Sequence, residues 1–456
     1  MVHEQAKQLS PIERTEVLDD LAIAATALDR QVSREWAMEM YEVAKNQIDG
    51  QDTWQQMMRA AQRKNALTVL SFTDPEAAAE RFFDLEPSAG HLPAEDPRVD
   101  LSRHLFVRLW SKEGRRSLPA IRRMAAFTAE TGEYPYAAMG LLIPEVARVD
   151  RRIAQELFAE AVRHLGDQAR IHRTQGAYLQ VLRKSWMVAN QRQRRAAARA
   201  GVLRAQRAAQ QGQDGGGHFY FRYYLPQGTV RLDREVEAKI YDLLPFLDDS
   251  DKRLGARLRE EYPRLREVPV VSVGVVPWRS AVFASAGRDT PELVEKAFER
   301  ADLQFLPKWA AEDAARAVGV ASSIKSAAAR EEGLALVLPH YERLDATRAE
   351  GQRVELARDA LSGTEASLAF LEAMIESEVI LRRTEEARRI ARRAWKVGVG
   401  LPDLGKLAEI CGRYWFGDEE FYTEINRAPD VAARLRLLAR YARGAMKDQV
   451  GYEEPN

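Results

Sequence analysis

Apolar residues recur along most of this chain at the spacing of a helix rather than a strand. Val17, Leu18, Leu21, Ala22 and Ala25 mark one face of a first long helix, the i, i+3, i+4 stripe that 3.6 residues per turn produces. Ser10-Pro11-Ile12-Glu13 stands just before it. It supplies a cap hydroxyl, a proline where its missing N–H costs nothing, and a glutamate that reaches back to the cap. A second helix is predicted from Ser33 to Ile48, ending at Asp49-Gly50, and a third from Thr53 with Trp54, Met57, Met58 and Ala61 on one side. Asp74-Pro75-Glu76 caps a fourth. Residues 86–100 break the pattern with Pro87, Gly90, Pro93 and Pro97 and read as a loop or hinge. Helices then resume at Leu101 and follow one another over 101–116, 117–131, 136–147 and 150–165.

One local pattern comes back four times. Ile143-Pro144, Leu244-Pro245, Leu306-Pro307 and Leu338-Pro339 are each followed, six positions after the proline, by Asp150, Asp251, Asp313 and Asp345. Four positions beyond each aspartate sits a small residue: Ala154, Gly255, Ala317 and Ala349. The expected structure is a helix that ends or kinks near the proline, a short turn, and an aspartate capping the next helix. The small residue lets that helix approach its neighbour. The prolines lie 101, 62 and 32 positions apart, near three, two and one times a unit of about 32–34, the period of helix-pair repeats. Leu157-Phe158-Ala159-Glu160-Ala161 and Ala297-Phe298-Glu299-Arg300-Ala301 carry the small-and-aromatic spacing of second repeat helices. On these residues the chain resembles tetratricopeptide and related α-solenoid repeats over at most 101–445, although the Trp-x2-Leu-Gly-x2-Tyr opening is missing. The resemblance implies architecture alone: an all-α fold, a right-handed array of antiparallel helix pairs.

Two stretches depart from the helical rule. Residues 268–277, Val-Pro-Val-Val-Ser-Val-Gly-Val-Val-Pro, are β-branched and proline-flanked and read as extended chain. Asp214 and Gly215–Gly217 read as a flexible tether before the aromatic run His218-Phe219-Tyr220-Phe221-Arg222-Tyr223-Tyr224. The organisation expected is an N-terminal helical region (1–86), helical repeats with a basic helix (101–211), the glycine break and aromatic segment (212–228), and further repeats with a C-terminal cap (229–445). Tyr414-Trp415-Phe416 and Phe421-Tyr422 fit that cap, because terminal helices of an array must seal its core.

Composition changes the picture in one place. Hydrophobic residues are 46% and charged residues 30%, a folded chain, and 68 basic side chains balance 68 acidic ones. Yet from Gln168 to Gln213 no acid occurs, and ten basic residues do: Arg170, Arg173, Arg183, Lys184, Arg192, Arg194, Arg195, Arg199, Arg204 and Arg207. Residues 175–211 are expected to be largely helical, with Leu179, Leu182, Trp186 and Ala189 on one face and Arg192, Arg195 and Arg199 as a stripe beyond. Arg183, Lys184, Arg192, Arg194, Arg195, Arg199, Arg204 and Arg207, with Phe219, Tyr220 and Tyr223, form the candidate anion- or partner-binding set. Arginines neutralise acidic partners or phosphates, and aromatics stack on unpaired bases. The competing expectation is that these arginines pair with acids of the same chain while the aromatics pack in the core.

Catalytic signatures are sparse. The seven histidines include no pair four apart, so no His-Glu-x-x-His metal face exists. Gly400 to Lys406 has phosphate-loop spacing, but Leu407 stands where Ser or Thr must hold magnesium, and an arginine-rich helix precedes it instead of a strand. Asp248-Asp249-Ser250-Asp251 resembles the magnesium motif of helical terpene synthases, with its third carboxylate one place early. Catalytic residues, metal ligands and cofactors are therefore assigned to none. Cys411 is the single cysteine, which fits a reducing compartment. No apolar run reaches the ~18 residues of a membrane span. No signal-peptide core opens the chain, so a cytoplasmic location is the default, periplasmic or secreted if an export signal has been removed. The function expected is a non-enzymatic scaffold or adaptor binding another protein through its concave face and basic helix. The alternatives are a helical enzyme with a carboxylate or metal site at Asp248–Asp251, and a nucleic-acid-associated protein using 183–207.

Overall fold

The computed structural model describes residues 2–48, 52–85, 96–131, 134–167, 174–212, 217–225, 228–232, 234–266, 273, 278–285, 290–362, 366–398, 404–428 and 430–450. The described chain is all-α apart from a small three-stranded sheet. Its first helices are α1 (Val2–Ala6), α2 (Pro11–Leu28), α3 (Arg30–Asn46), α4 (Thr53–Thr73), α5 (Pro75–Arg81) and α6 (Pro97–Glu113). Then come α7 (Leu118–Thr131), α8 (Tyr136–Val149), α9 (Arg151–Asp167), α10 (Thr174–Ser185) and α11 (Gln191–Gly212). Strands β1 (Gly217–Leu225) and β2 (Gly228–Leu232) precede α12 (Glu235–Tyr241), α13 (Leu244–Ser250), α14 (Lys252–Glu261) and β3 (Trp278–Ser285). The last helices are α15 (Pro291–Glu312), α16 (Ala314–Ser323), α17 (Ala327–Glu342), α18 (Ala346–Ser362), α19 (Leu368–Ile380), α20 (Thr384–Gly398), α21 (Gly405–Trp415), α22 (Glu419–Asn426) and α23 (Val431–Val450). Among the described residues no helix is long and apolar enough to cross a membrane.

Helix starts follow cap chemistry. The Ser10 amide donates to Glu13 Oε2 at 3.2 Å, the reciprocal half of a capping box. Asp96 accepts the Arg98 N–H at 2.9 Å, so α6 opens at Pro97, within the stretch read as a loop up to residue 100. Proline at the first helical position starts a helix as readily as it stops one.

The aspartates that follow the Ile/Leu-Pro pairs stand between helices: Asp150, Asp251 and Asp313 are one-residue joints, and Asp345 closes a three-residue turn after α17. Asp150, Asp251, Asp313 and Asp345 each donate their amide to the carbonyl four residues back, at 2.6–3.0 Å. Each accepts at its own carbonyl the amide of the small residue four ahead, at 2.9–3.1 Å. Their side chains cap the next helix, as Asp313 does for the Arg316 amide at 3.1 Å and Asp345 for the Arg348 amide at 3.1 Å. Ala154, Gly255, Ala317 and Ala349 are all buried. None of the helices ends at the proline: Pro144, Pro307 and Pro339 lie inside α8, α15 and α17, and Pro245 opens α13; α8, α13 and α15 run up to the aspartate, and α17 stops three residues short of it. Two further joints have the same geometry with no proline ahead of them. Asp29, Asp74, Asp150, Asp251 and Asp313 share φ of −153° to −145° and ψ of 67° to 101°. Ser33 and Ala78, the small residues after Asp29 and Asp74, are fully buried.

Contacts divide the chain into two compact units. The first comprises Met1–Gly215 with Arg234–Val276. In it α2, α4, α6, α8 and α10 each pack on the next of that row, α3 packs on α2 and α4, and α9 packs on α8 and α11. The second comprises Gly216–Asp233 with Pro277–Asn456, and there α15, α17, α19, α21 and α23 form the corresponding row, with α16, α18 and α20 against it.

The aromatic run is a strand. β1 lies between β2 and β3, antiparallel to both, with Tyr223 opposite Val230 and Arg279. Aromatic and β-branched residues suit a pleated surface packed on one face. That face rests on α15: Arg222 lies 4.2 Å from the centre of the Phe298 ring and bonds Glu295 at 2.6 Å, and Tyr224 donates to Asp302 at 2.5 Å. Of the tether expected at 214–217, Gly217 is instead the first residue of β1, paired with Ser285, and the rest lies outside the described residues; so does the extended segment at 268–277 apart from residue 273.

Candidate functional site

The acid-free segment is two helices and not one. α10 stops at Ser185, the chain turns through Trp186–Ala189, and Asn190 starts α11. Asn190 Oδ1 accepts the Gln193 amide and Gln193 Oε1 accepts the Asn190 amide, both at 3.0 Å, an amide version of the capping box. Leu179, Leu182, Trp186 and Ala189 are buried, as their spacing predicts.

From this corner the arginines meet α13, α14 and the joint between them. Trp186 Nε1 donates to Asp249 Oδ2 at 2.8 Å, and Arg194 reaches the same oxygen at 3.4 Å. Arg194 Nε also donates to the carbonyl of Trp186 at 2.9 Å, closing the corner on itself. Arg195 Nε donates to the Ser250 carbonyl at 3.2 Å, and Arg199 Nε to Asp251 Oδ2 at 2.7 Å. On the acidic side Arg259 forks onto both oxygens of Asp248, at 2.9 and 2.7 Å. Gly255 makes room for that fork: a Cβ there would sit 3.0 Å from Asp248 Oδ1. Burial pulls the Asp251 carboxyl upward, but Arg199 and the Leu254 amide outweigh it and hold the group below its ordinary value.

Two other members of the sequence-derived set turn inward. Arg183 lies 3.8 Å from buried Asp242, and buried Arg204 donates to the Leu165 carbonyl at 3.2 Å. Lys184, Arg192 and Arg207 are exposed. The outer face of α11 carries Arg192, Arg195, Arg199 and Arg207 around Leu203, which is 54% exposed, and Met187 at the corner is 72% exposed. Helical spacing puts Arg192, Arg195, Arg199, Leu203 and Arg207 on one face. It is a basic stripe with one apolar position, and Met187 is exposed in the turn that precedes it.

The aromatic members belong to the sheet of the other unit. Tyr223 is fully buried, Tyr220 lies half-buried 4.7 Å below Arg231, and the backbone of Phe219 pairs with Phe283. Asp248, Asp249 and Asp251 are each committed to an arginine, so a cation there would have to displace Arg259, Arg194 or Arg199. Among the described residues no group of three or more His, Cys, Asp or Glu is arranged to hold a metal ion. Cys411 is buried, which pushes its thiol up to about 12. The residues that sequence reasoning passed over are Trp186 as a hydrogen-bond donor, Arg259, and Asn190 with Gln193. Only the last had a local signal, the Asn-x-x-Gln box.

Fold and face together define an all-α protein in which a basic helix is seated on an aspartate-bearing pair. No protein-family model matches the chain, and no curated protein matches it.

Proposed function

We propose that this chain is a non-enzymatic helical-repeat scaffold or adaptor, an α-solenoid-like array that binds an acidic segment of another protein. The observation that carries the reading is the recurring aspartate joint with its buried small residue at the fourth following position. The short joint returns each following helix against its predecessor, and the next-but-one packing rows in both units fit stacked helix pairs. Stacked pairs form extended concave surfaces, and such surfaces serve recognition. Within the first unit the basic stripe of α11 with Leu203 and Met187 is the most polarised face, and its chemistry matches a partner with acidic and apolar side chains.

The test is capture of a partner from the native host by the full chain with a photo-crosslinking residue at Leu203, compared with Arg192→Glu/Arg207→Glu. Both arginines are exposed, so the charge reversal leaves the fold intact. A crosslinked protein that is lost on charge reversal and survives nuclease supports the reading. A product that vanishes with nuclease, or one indifferent to the reversal, overturns it.

A further inference from the structure

A second feature in the first unit has the character of a ligand site. A cleft of about 690 Å³ opens between the start of α3, the end of α4, α6 and α8. Arg30, Arg103, His104, Arg108 and Lys112 line it, with Glu145 the acid on its wall. Three of the charges are committed. Lys112 holds Glu76 at 2.9 Å, Glu145 is taken by Arg148 at 2.7 Å, and Arg103 lies 3.9 Å from Asp100, which Lys64 also holds at 2.8 Å.

Arg30 and Arg108 are different: neither has a carboxylate within ion-pair distance among the described residues. Arg108 is half-buried, with its guanidinium 3.3 Å from the centre of the Phe72 ring. That contact fixes the cation in place before any ligand arrives. Burial, and then the charge of Arg30, holds Arg108 below the usual guanidinium range. His104 beside them is pushed down by burial and by Arg108, Arg103 and Lys64, against the pull of Asp100, so it adds a neutral ring. Two guanidinium groups thus share a concave space with no counter-charge between them, and a bound anion removes the conflict. Guanidinium is the side chain best matched to phosphate oxygens, through paired N–H donors.

We propose that this cleft binds a small molecule through its phosphate group, with Arg30 and Arg108 as the two cations that take the dianion. The volume lies within the range of small-ligand sites, about 300–1,000 Å³, and leaves room beyond a bare phosphate. The site is separate from the α11 stripe and stands whether or not that stripe binds a partner.

The experiment is calorimetric titration of the full chain with inorganic phosphate and with glycerol phosphate, at ionic strength held constant with chloride. Saturable binding is expected, tighter for glycerol phosphate, with a loss of about tenfold or more in Arg108→Gln and in Arg30→Gln. Lys308→Gln, an exposed cation on α15 outside every site described, is expected to bind as the wild type does. Equal affinity for the two probes would identify free phosphate as the species held. Because Arg108→Gln gives up the Phe72 contact, Arg108→Lys and the exposed Arg30→Gln guard against misfolding. Absence of saturable binding by either probe, or binding undiminished in Arg30→Gln and Arg108→Lys, overturns the proposal.

Discussion

The packing of α21 on α23 makes a sharp quantitative prediction. A Cβ built on Gly412 runs into the backbone carbonyl of Tyr441, and one on Gly444 runs into that of Glu409. The obstacle is main chain on both sides, so no rotamer change relieves it. Gly412→Ala must push the helices apart where Leu407, Ala408, Cys411 and Tyr441 join an apolar cluster of the second unit. Overpacking of this kind costs about 1–3 kcal/mol, and more where backbone must move. Removing glycine from a helix returns only about 0.5–1 kcal/mol. A net loss of about 2 kcal/mol corresponds to about 4–8 °C in Tm for a unit of this size. The assay is thermal unfolding followed by circular dichroism, with Gly319→Ala as the partner variant. Gly319 is exposed in α16 with no heavy atom within 4 Å of a built Cβ, so alanine there is expected to stabilise by about 0.5–1 kcal/mol. If Gly412→Ala melts with the wild type while Gly319→Ala rises, the close crossing of α21 and α23 is wrong.

Three further outcomes follow from the same contacts. Asp313→Ala and Asp345→Ala each remove the cap of the following helix and are expected to cost about 1 kcal/mol in urea unfolding, with Asn recovering most of it; a cost for Asn equal to that for Ala would refute capping as the role. Arg353 holds the fully buried Glu378 at 3.0 Å and forks onto Glu350; Arg353→Met is expected to cost about 3 kcal/mol or more by stranding Glu378, and Arg353→Met/Glu378→Met to recover much of that, whereas additive losses would mean the pair is not coupled. Asp150, held low by the Ile153 amide and then Arg115, and Asp251, held low by Arg199 against burial, bind fewer protons folded than unfolded; their stabilisation is complete above the unfolded carboxyl range and lost as pH falls through and below about 3.9. Asp150→Asn/Asp251→Asn is expected to flatten that acid limb, and an unchanged slope in a pH series of melts would count against it.

What was legible in the sequence was what neighbours in the chain decide. The aspartate joints could be read because cap, turn and small residue fall within ten positions. Asp74 was read as a cap but not as one of the series, and Asp29 escaped, because the pattern was anchored on a proline that is incidental to the geometry. Proline marks four of the joints, but the extended φ of the aspartate makes all five whose angles are described. The corner at Trp186–Asn190 was hidden by apolar spacing that continues into it, since Leu179 and Leu182 of α10 and Trp186 and Ala189 of the turn are all buried. The strand at 217–225 was the harder case. Its aromatics find their places only through β3, some sixty residues on, and through Glu295 and Asp302 of α15. No local window holds that information.

The same distance separates the two halves of the charge pattern, and this bears on how α11 is to be tested. An acid-free run in a neutral chain looks like a surface made for polyanions. Its complement is present, some fifty residues later, in Asp248, Asp249 and Asp251. Partly exposed ion pairs are worth only about 0–1 kcal/mol each, so these contacts add little to stability as a sum. Their value is register. Arg194, Arg195 and Arg199 meet Asp249, the Ser250 carbonyl and Asp251 in order, and a shift of α11 by one residue breaks all three at once. Substituting the whole basic set would therefore loosen the seat of α11 as well as its outer surface, and any loss of binding would have two explanations. Arg192 and Arg207, exposed and outside that register, separate the two: if they can be reversed in charge with no loss of partner, the outer face of α11 is a solvated surface and nothing more.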